Sequence, residues 1–251
     1  MPSYLERYKN GECEQVWAEL TALGEQVRQE HILPDALAVA HETMRRVREN
    51  AERIILRLQT IKYDFDNSTF ASAGQQPPGE DVQAQIAALE AQAGPLPLSL
   101  RAWYEVGGAV DLTGFNAHWP SIYTDPLVIL PIEEALSEFA DWQQHVADVG
   151  PEDVGPFLVP IAPDFYFKAN FGGGGPYQIE VPCAAADAPL LKEWHGEWHD
   201  MTFVEYLREC FRWGGFPGFD VSHPMDPNHL NADAVMPPEH LALLTADLLP
   251  V

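Results

Sequence analysis

Three cysteines in 251 residues, Cys13, Cys183 and Cys210, are too few and too scattered for a disulfide framework or a cysteine-ligated metal knuckle. No apolar run approaches the roughly 20 residues that cross a bilayer. The first residues, MPSYLERYKNGECEQ, lack the basic-then-apolar order of a signal peptide. These absences lead to the expectation of a reduced, cytoplasmic protein. Bases are scarce as well: 14 Lys and Arg stand against 38 Asp and Glu, a net charge of −24. The deficit lies almost wholly beyond residue 62. Residues 1–62 hold nine bases and ten acids, whereas residues 63–251 hold five and 28. Such a surface repels nucleic-acid phosphates and speeds encounter with a basic partner, although solubility alone accounts for the same charge. What is abundant is core material: 46% of the residues are hydrophobic and 11% aromatic, enough for a packed interior.

The apolar spacing predicts helices first. Cys13, Val16, Leu20, Leu23 and Val27 step by three and four, and after Leu33-Pro34 so do Leu37, Ala40, Met44, Val47, Ala51, Ile54, Leu58 and Ile61. A seven-residue period is the seam of two helices packed side by side, so residues 12–61 read as an antiparallel helical hairpin. Arg45, Arg46, Arg48 and Arg53 fall off the seam, in solvent or against acids. The sequence thus divides into a helical-hairpin extension (1–62), a linker or loop rich in Gly, Pro and small polar residues (63–80), and an α+β domain with a Pro-rich tail (81–251). Dimerisation through the hairpin is an alternative use of the same seam, which leaves monomer and homodimer both open.

In the second region Val82, Ile86 and Leu89 mark a short amphipathic helix. The stretch GPLPLSLRAWYEVGG (94–108) then combines a helix start at Pro97 and Ser99, a stripe of Leu100, Trp103, Tyr104 and Val106, and a stop at Gly107-Gly108. It reads as a folding device, its aromatics core anchors. Leu127 to Leu130 predicts a buried strand leading into a helix with Ile132, Ala135, Leu136 and Phe139 inward. Phe165, Phe167, Ala169 and Phe171 alternate with Tyr166, Lys168 and Asn170, and Tyr177, Ile179 and Val181 alternate with Gln178 and Glu180. Period two on both sides of a glycine run predicts a hairpin. Thr202-Phe203-Val204-Glu205 is a capping box, and EHLALLTADLL a final helix. Without regular βαβ alternation the expected class is α+β, a mixed and largely antiparallel sheet with flanking helices.

LPLSLRAWYEVGGAVDLTG resembles the entry motif of the SUKH superfamily, which includes yeast cell-wall-assembly regulators and many bacterial immunity proteins. PLVILPIEEALSEF, the hairpin with its preceding FLVPIAPD, and MTFVEYLREC follow in the family's order, so that the resemblance covers about residues 80–215. The long glycine run and the Pro-rich tail depart from the pattern. The resemblance implies a non-catalytic binding domain, in bacteria one that binds a toxin, commonly a nuclease or deaminase. It supplies no catalytic residue to carry over. A basic cleft on such a toxin would match the acidic balance, and Trp119 and Tyr123 are the expected exposed aromatics of the docking surface.

The competing chemistry is weaker. Gly172–Gly175 is followed by Pro176, where a phosphate loop needs Lys and Ser/Thr. His195 and His199, four apart beside Glu193, Glu197 and Asp200, form the best metal candidate and would serve a metal-dependent hydrolase. Gly196 and the absence of HExxH order speak against it. His223, His229 and His240 with Asp220, Asp226 and Asp233 are irregularly spaced in the tail. Glu133-Glu134 and Glu152-Asp153 have no nucleophile or acid–base partner nearby. No Gly-x-Ser-x-Gly elbow and no Cys–His pair is present. No catalytic, cofactor or metal site is expected.

Overall fold

The computed structural model describes residues 2–66, 74–121, 123–172, 175–191, 201–220 and 235–251. Helices α1 (Tyr4–Lys9), α2 (Cys13–Ala22) and α3 (Leu33–Thr60) come first, with a 3-10 turn at Gly24–Arg28 between the last two. Strands β1 (Asp64–Phe65) and β2 (Gly74–Gln76) follow, then α4 (Val82–Ala93) and α5 (Leu98–Ala102), which runs into a π turn at Trp103–Gly107. Next are β3 (Ala109–Asp111), β4 (Gly114–Phe115), β5 (Val128–Ile129), α6 (Ile132–Val149), β6 (Phe157–Ala162), α7 (Phe165–Lys168), β7 (Tyr177–Val181), α8 (Phe203–Arg212) and α9 (Pro238–Thr245). The class is α+β. Among the described residues every strand ladder is antiparallel: β1 with β4, β2 with β3 and β3 with β5, and β6 with β7. Leu130 N donates to Ile161 O at 2.8 Å and joins the second ladder to the third.

Helix α3 is the spine. The seam residues Ala40, Met44, Val47, Ala51, Ile54 and Leu58 are fully buried, as their spacing requires, and the buried face widens to include Ala36, Val39, Thr43, Arg46 and Asn50. Each large apolar side chain so placed stabilises the fold by about 1.5–3 kcal/mol. The widening has a cause, because several elements pack on α3 at once. The α2 side supplies Trp17, whose Nε1 donates to Thr43 Oγ1 at 3.0 Å. Helices α1, α5 and α9, the π turn and β2 all pack on α3 as well, and one hydrophobic cluster runs from Tyr8 to Val251. Arg45, Arg48 and Arg53 pair with Glu42, Glu49 and Glu52 along the helix, each worth about 0.3–0.5 kcal/mol. Arg46 also pairs with Glu42 (2.9 Å) but turns inward, 4.6 Å from the Tyr8 ring, and donates to Pro250 O at 2.9 Å. Asn50 exchanges two hydrogen bonds with the Leu249 backbone (2.9 and 2.8 Å), and Arg57 donates to Leu244 O at 3.0 Å. Polar side chains one and two turns apart on α3 thereby hold the last residues against the body.

The proline–aromatic–glycine stretch behaves as the sequence predicts. Trp103 and Tyr104 are buried, and Gly108 takes φ +84°, ψ −105° at the end of the π turn. Gly107 is there for a different reason. A Cβ on it would sit 2.2 Å from Trp103 Cε3, so the indole folds back over bare backbone.

The predicted hairpin is only half right. Tyr177–Val181 is a strand, but its partner is Phe157–Ala162, with Val159 opposite Ile179. Residues 165–168 are a single helical turn. Asp164 caps it, Oδ1 accepting from Tyr166 N (2.7 Å) and Phe167 N (3.0 Å). Burial accordingly follows a helical period: Phe165, Lys168 and Ala169 are inside, whereas Phe167 and Phe171 are exposed. Local capping overrode an apparent alternation.

Candidate functional site

The turn at Asp164 carries Lys168 into the interior. Its side chain is 0% exposed, and Nζ donates to Asp125 Oδ1 at 2.7 Å. The ammonium also lies 4.7 Å from the centre of the Tyr177 ring and 3.4 Å from Tyr206 OH, while Tyr177 OH donates to Asp125 Oδ2 at 3.4 Å. A buried charge is tolerated only when it is paired and hydrogen-bonded, and here one carboxylate, one hydroxyl and one π face meet the three N–H bonds. Asp125 holds φ +44°, a left-handed conformation that Asp adopts more readily than most residues. An ammonium so engaged is a structural cation rather than a nucleophile. Cys210, buried below Tyr206, has its thiol pushed far above the usual range by burial, and burial also raises Cys183. Neither is poised as a thiolate.

Beside Lys168 the surface opens into a cleft of about 400 Å³, lined by Asp64, Phe65, Asp66, Gly114, Phe115, Lys168, Ala169 and Asn170. On another part of the molecule α6 buries Ile132, Ala135 and Phe139 and turns Glu133, Glu138, Asp141 and Asp148 to solvent; Glu152 and Asp153 continue the exposed acids beyond its end. No Lys or Arg occurs anywhere in the 66 residues from 102 to 167, so α6 and its flanks carry no base of their own. The acid pairs Glu133-Glu134 and Glu152-Asp153 thus belong to an acidic face.

Trp119, expected at the surface, is buried. Its ring lies 4.7 Å from Phe216, 5.3 Å from Tyr63 and 5.4 Å from Phe219, and its Nε1 donates to His240 Nδ1 at 2.9 Å. The chain after α8 wraps Phe216 and Phe219 around it, a closure that no local pattern announces. Tyr123 is half-buried, stacked between Phe165 (5.4 Å) and Phe171 (5.5 Å). No family model, curated protein or solved structure matches this chain. His195 and His199, with Glu193, Glu197 and Asp200, lie outside the described residues, as do His223, His229, Asp226 and Asp233 and the centre of the glycine run. His240 is held by Trp119, and Asp220 is buried. Among the described residues no three His, Cys, Asp or Glu side chains gather as metal ligands, and no helix is long and apolar enough to cross a membrane.

The buried Lys168 pair and the cleft beside it were not singled out from sequence. The one available signal was Asp164 ahead of Phe165-Tyr166-Phe167, a cap in front of what otherwise resembles a strand.

Two buried carboxyls give the protein an unusual pH response. Burial raises Asp187, although Ser99 Oγ donates to it at 2.6 Å and Val204 N at 3.1 Å; burial likewise raises Asp111 despite its bonds from Thr113. A carboxyl raised in the folded state contributes stability that is complete below its unfolded value, near 3.8, and is lost as pH rises through its folded value. Glu42 acts oppositely: Arg45 holds it at about 2, so its contribution is lost only as pH falls from about 4.5 toward 2. Self-repulsion at net −24 also grows with pH. Above about pH 4.5, where the Glu42 contribution is complete, the melting temperature should therefore fall as pH rises, and Asp187→Asn should flatten that slope. A melting temperature constant or rising over this range would contradict the assignment.

Proposed function

We propose that this chain is a non-catalytic protein-binding module, a SUKH-like immunity or regulatory protein of the bacterial cytoplasm that docks on a basic protein partner and masks it. The observation that carries this reading is the one-sided charge. From residue 63 onward 28 acids accompany five bases, and the acids of α6 stand in solvent with no base between residues 102 and 167. A field of one sign steers an oppositely charged partner and disfavours wrong ones, and a toxin that acts on nucleic acid is cationic where it holds phosphate. The order of motifs across residues 80–215 supports the same conclusion, and the rigid core beneath α6 supplies a pre-organised face.

The test starts from the host. A partner captured on the full-length chain at low salt, identified and purified, should be basic, and its affinity should fall at least about tenfold between 0.05 and 0.5 M NaCl, as screening shortens the range of the field. Affinity indifferent to salt would defeat the electrostatic part. Stoichiometric zinc in the purified protein would defeat the whole reading in favour of a hydrolase centred on His195 and His199.

A further inference from the structure

We propose that the cleft beside Lys168 is an anchor pocket for an arginine side chain of the partner, an inference that rests on the partner's being basic. Strands β1 and β4 form its outer wall, with Asp64 directly opposite Phe115 and Phe65 opposite Gly114. Side chains of directly paired residues project to one face about 5 Å apart, so a carboxylate and a phenyl ring stand side by side. Asp64 is exposed and Phe115 is 52% exposed, an unusual place for a large ring. The inner wall is the end of α7, with Asn170 at its edge.

Charge selects the occupant. Lys168, the cleft's one base among the described residues, has its charge matched by Asp125 beneath the surface, and Asp66 accepts from Asn170 Nδ2 at 3.4 Å, which leaves the exposed Asp64 as the carboxylate that faces an incoming group. An anion is repelled. A volume of about 400 Å³ is at the small end of the range for ligand pockets, about 300–1,000 Å³, and suits one inserted side chain. Guanidinium fits the two chemistries presented: its planar face stacks on a phenyl ring while its N–H fork meets a carboxylate. An ammonium makes the second contact but only a poorer version of the first. Aromatic anchors with charged neighbours are also where interface energy concentrates.

The experiment uses the full chain and a fluorescent hexa-arginine peptide, with hexalysine as comparison, followed by anisotropy at low salt. Wild type should bind the arginine peptide more tightly than the lysine peptide by several-fold. Phe115→Ser and Asp64→Asn should each weaken hexa-arginine binding about fivefold or more, and Phe115→Ser should also erase the preference over lysine. The double variant Glu138→Gln/Asp141→Asn removes more charge from α6 and should change binding less than about twofold. Both cleft positions are exposed, so melting temperatures should stay near wild type, and circular dichroism verifies the fold. Equal binding of the two peptides, equal sensitivity to the α6 variant, or no binding by wild type overturns the cleft proposal. If the α6 variant weakens the captured partner and the cleft variants do not, the basic-partner reading survives and the arginine pocket falls.

Discussion

Replacing Gly108 with alanine is expected to destabilise the protein by about 4 kcal/mol, combining backbone strain of about 1–3 kcal/mol with an overpacking cost of similar size. At φ +84°, ψ −105° the residue lies where side-chain-bearing residues are rarely found. A Cβ there would approach Gln76 O to 2.2 Å and Pro77 C to 2.7 Å. Both are backbone atoms, which cannot swing aside as a flexible side chain would. Because Gln76 pairs with Ala109 in the β2–β3 ladder, relief must displace backbone that the ladder holds in place. A thermal melt should show a drop of about 10 °C. Gly11→Ala is the matched control: it has φ +100° but nothing within 4 Å of an added Cβ, so it carries strain without collision. If the two variants melt together, close approach to residues 76 and 77 is not what fixes glycine at position 108.

The second large effect belongs to the buried ion pair. Lys168→Met leaves the Asp125 carboxylate buried with only a long hydrogen bond from Tyr177, and should cost about 3–5 kcal/mol, the penalty of stranding a buried charge. Asp125→Asn keeps a residue that tolerates positive φ, and should cost a comparable amount by stranding the ammonium. Combined, the two changes remove both charges, so the double variant should be more stable than the sum of the single losses allows, by about 2 kcal/mol or more. Strict additivity in urea denaturation would show that the two side chains do not depend on each other. The pair differs from the surface ladder of α3, where Arg45 and Glu49 remain solvated and a broken pair costs little.

Periodicity and local chemistry were legible in the sequence. The three–four steps from Leu37 to Ile61 placed the buried seam of α3, Val82, Ile86 and Leu89 gave the inner face of α4, and Thr202 with Glu205 gave the reciprocal cap of α8. All three depend on neighbours within about one turn or on a repeat that one element imposes, so short-range physics suffices. The same confinement explains the error at 165–171. Seven residues alternating in polarity fit a strand, and the Asp164 cap that made them a helical turn acts on only two N–H groups.

The amino-acid sequence by itself determined the α+β class, the positions of the long helices, the proline–glycine bracketing of Trp103 and Tyr104, and the concentration of acid beyond residue 62. Tertiary structure alone decided that Trp119 is a core ring, that Lys168 finds Asp125 43 residues away, and that Asp64 stands opposite Phe115 at the mouth of a cleft. The reason is range. Helical spacing, caps and net charge are properties of neighbouring residues or of a sum over all of them, whereas a buried pair or a cleft exists only once distant segments have been brought together by burying apolar surface elsewhere.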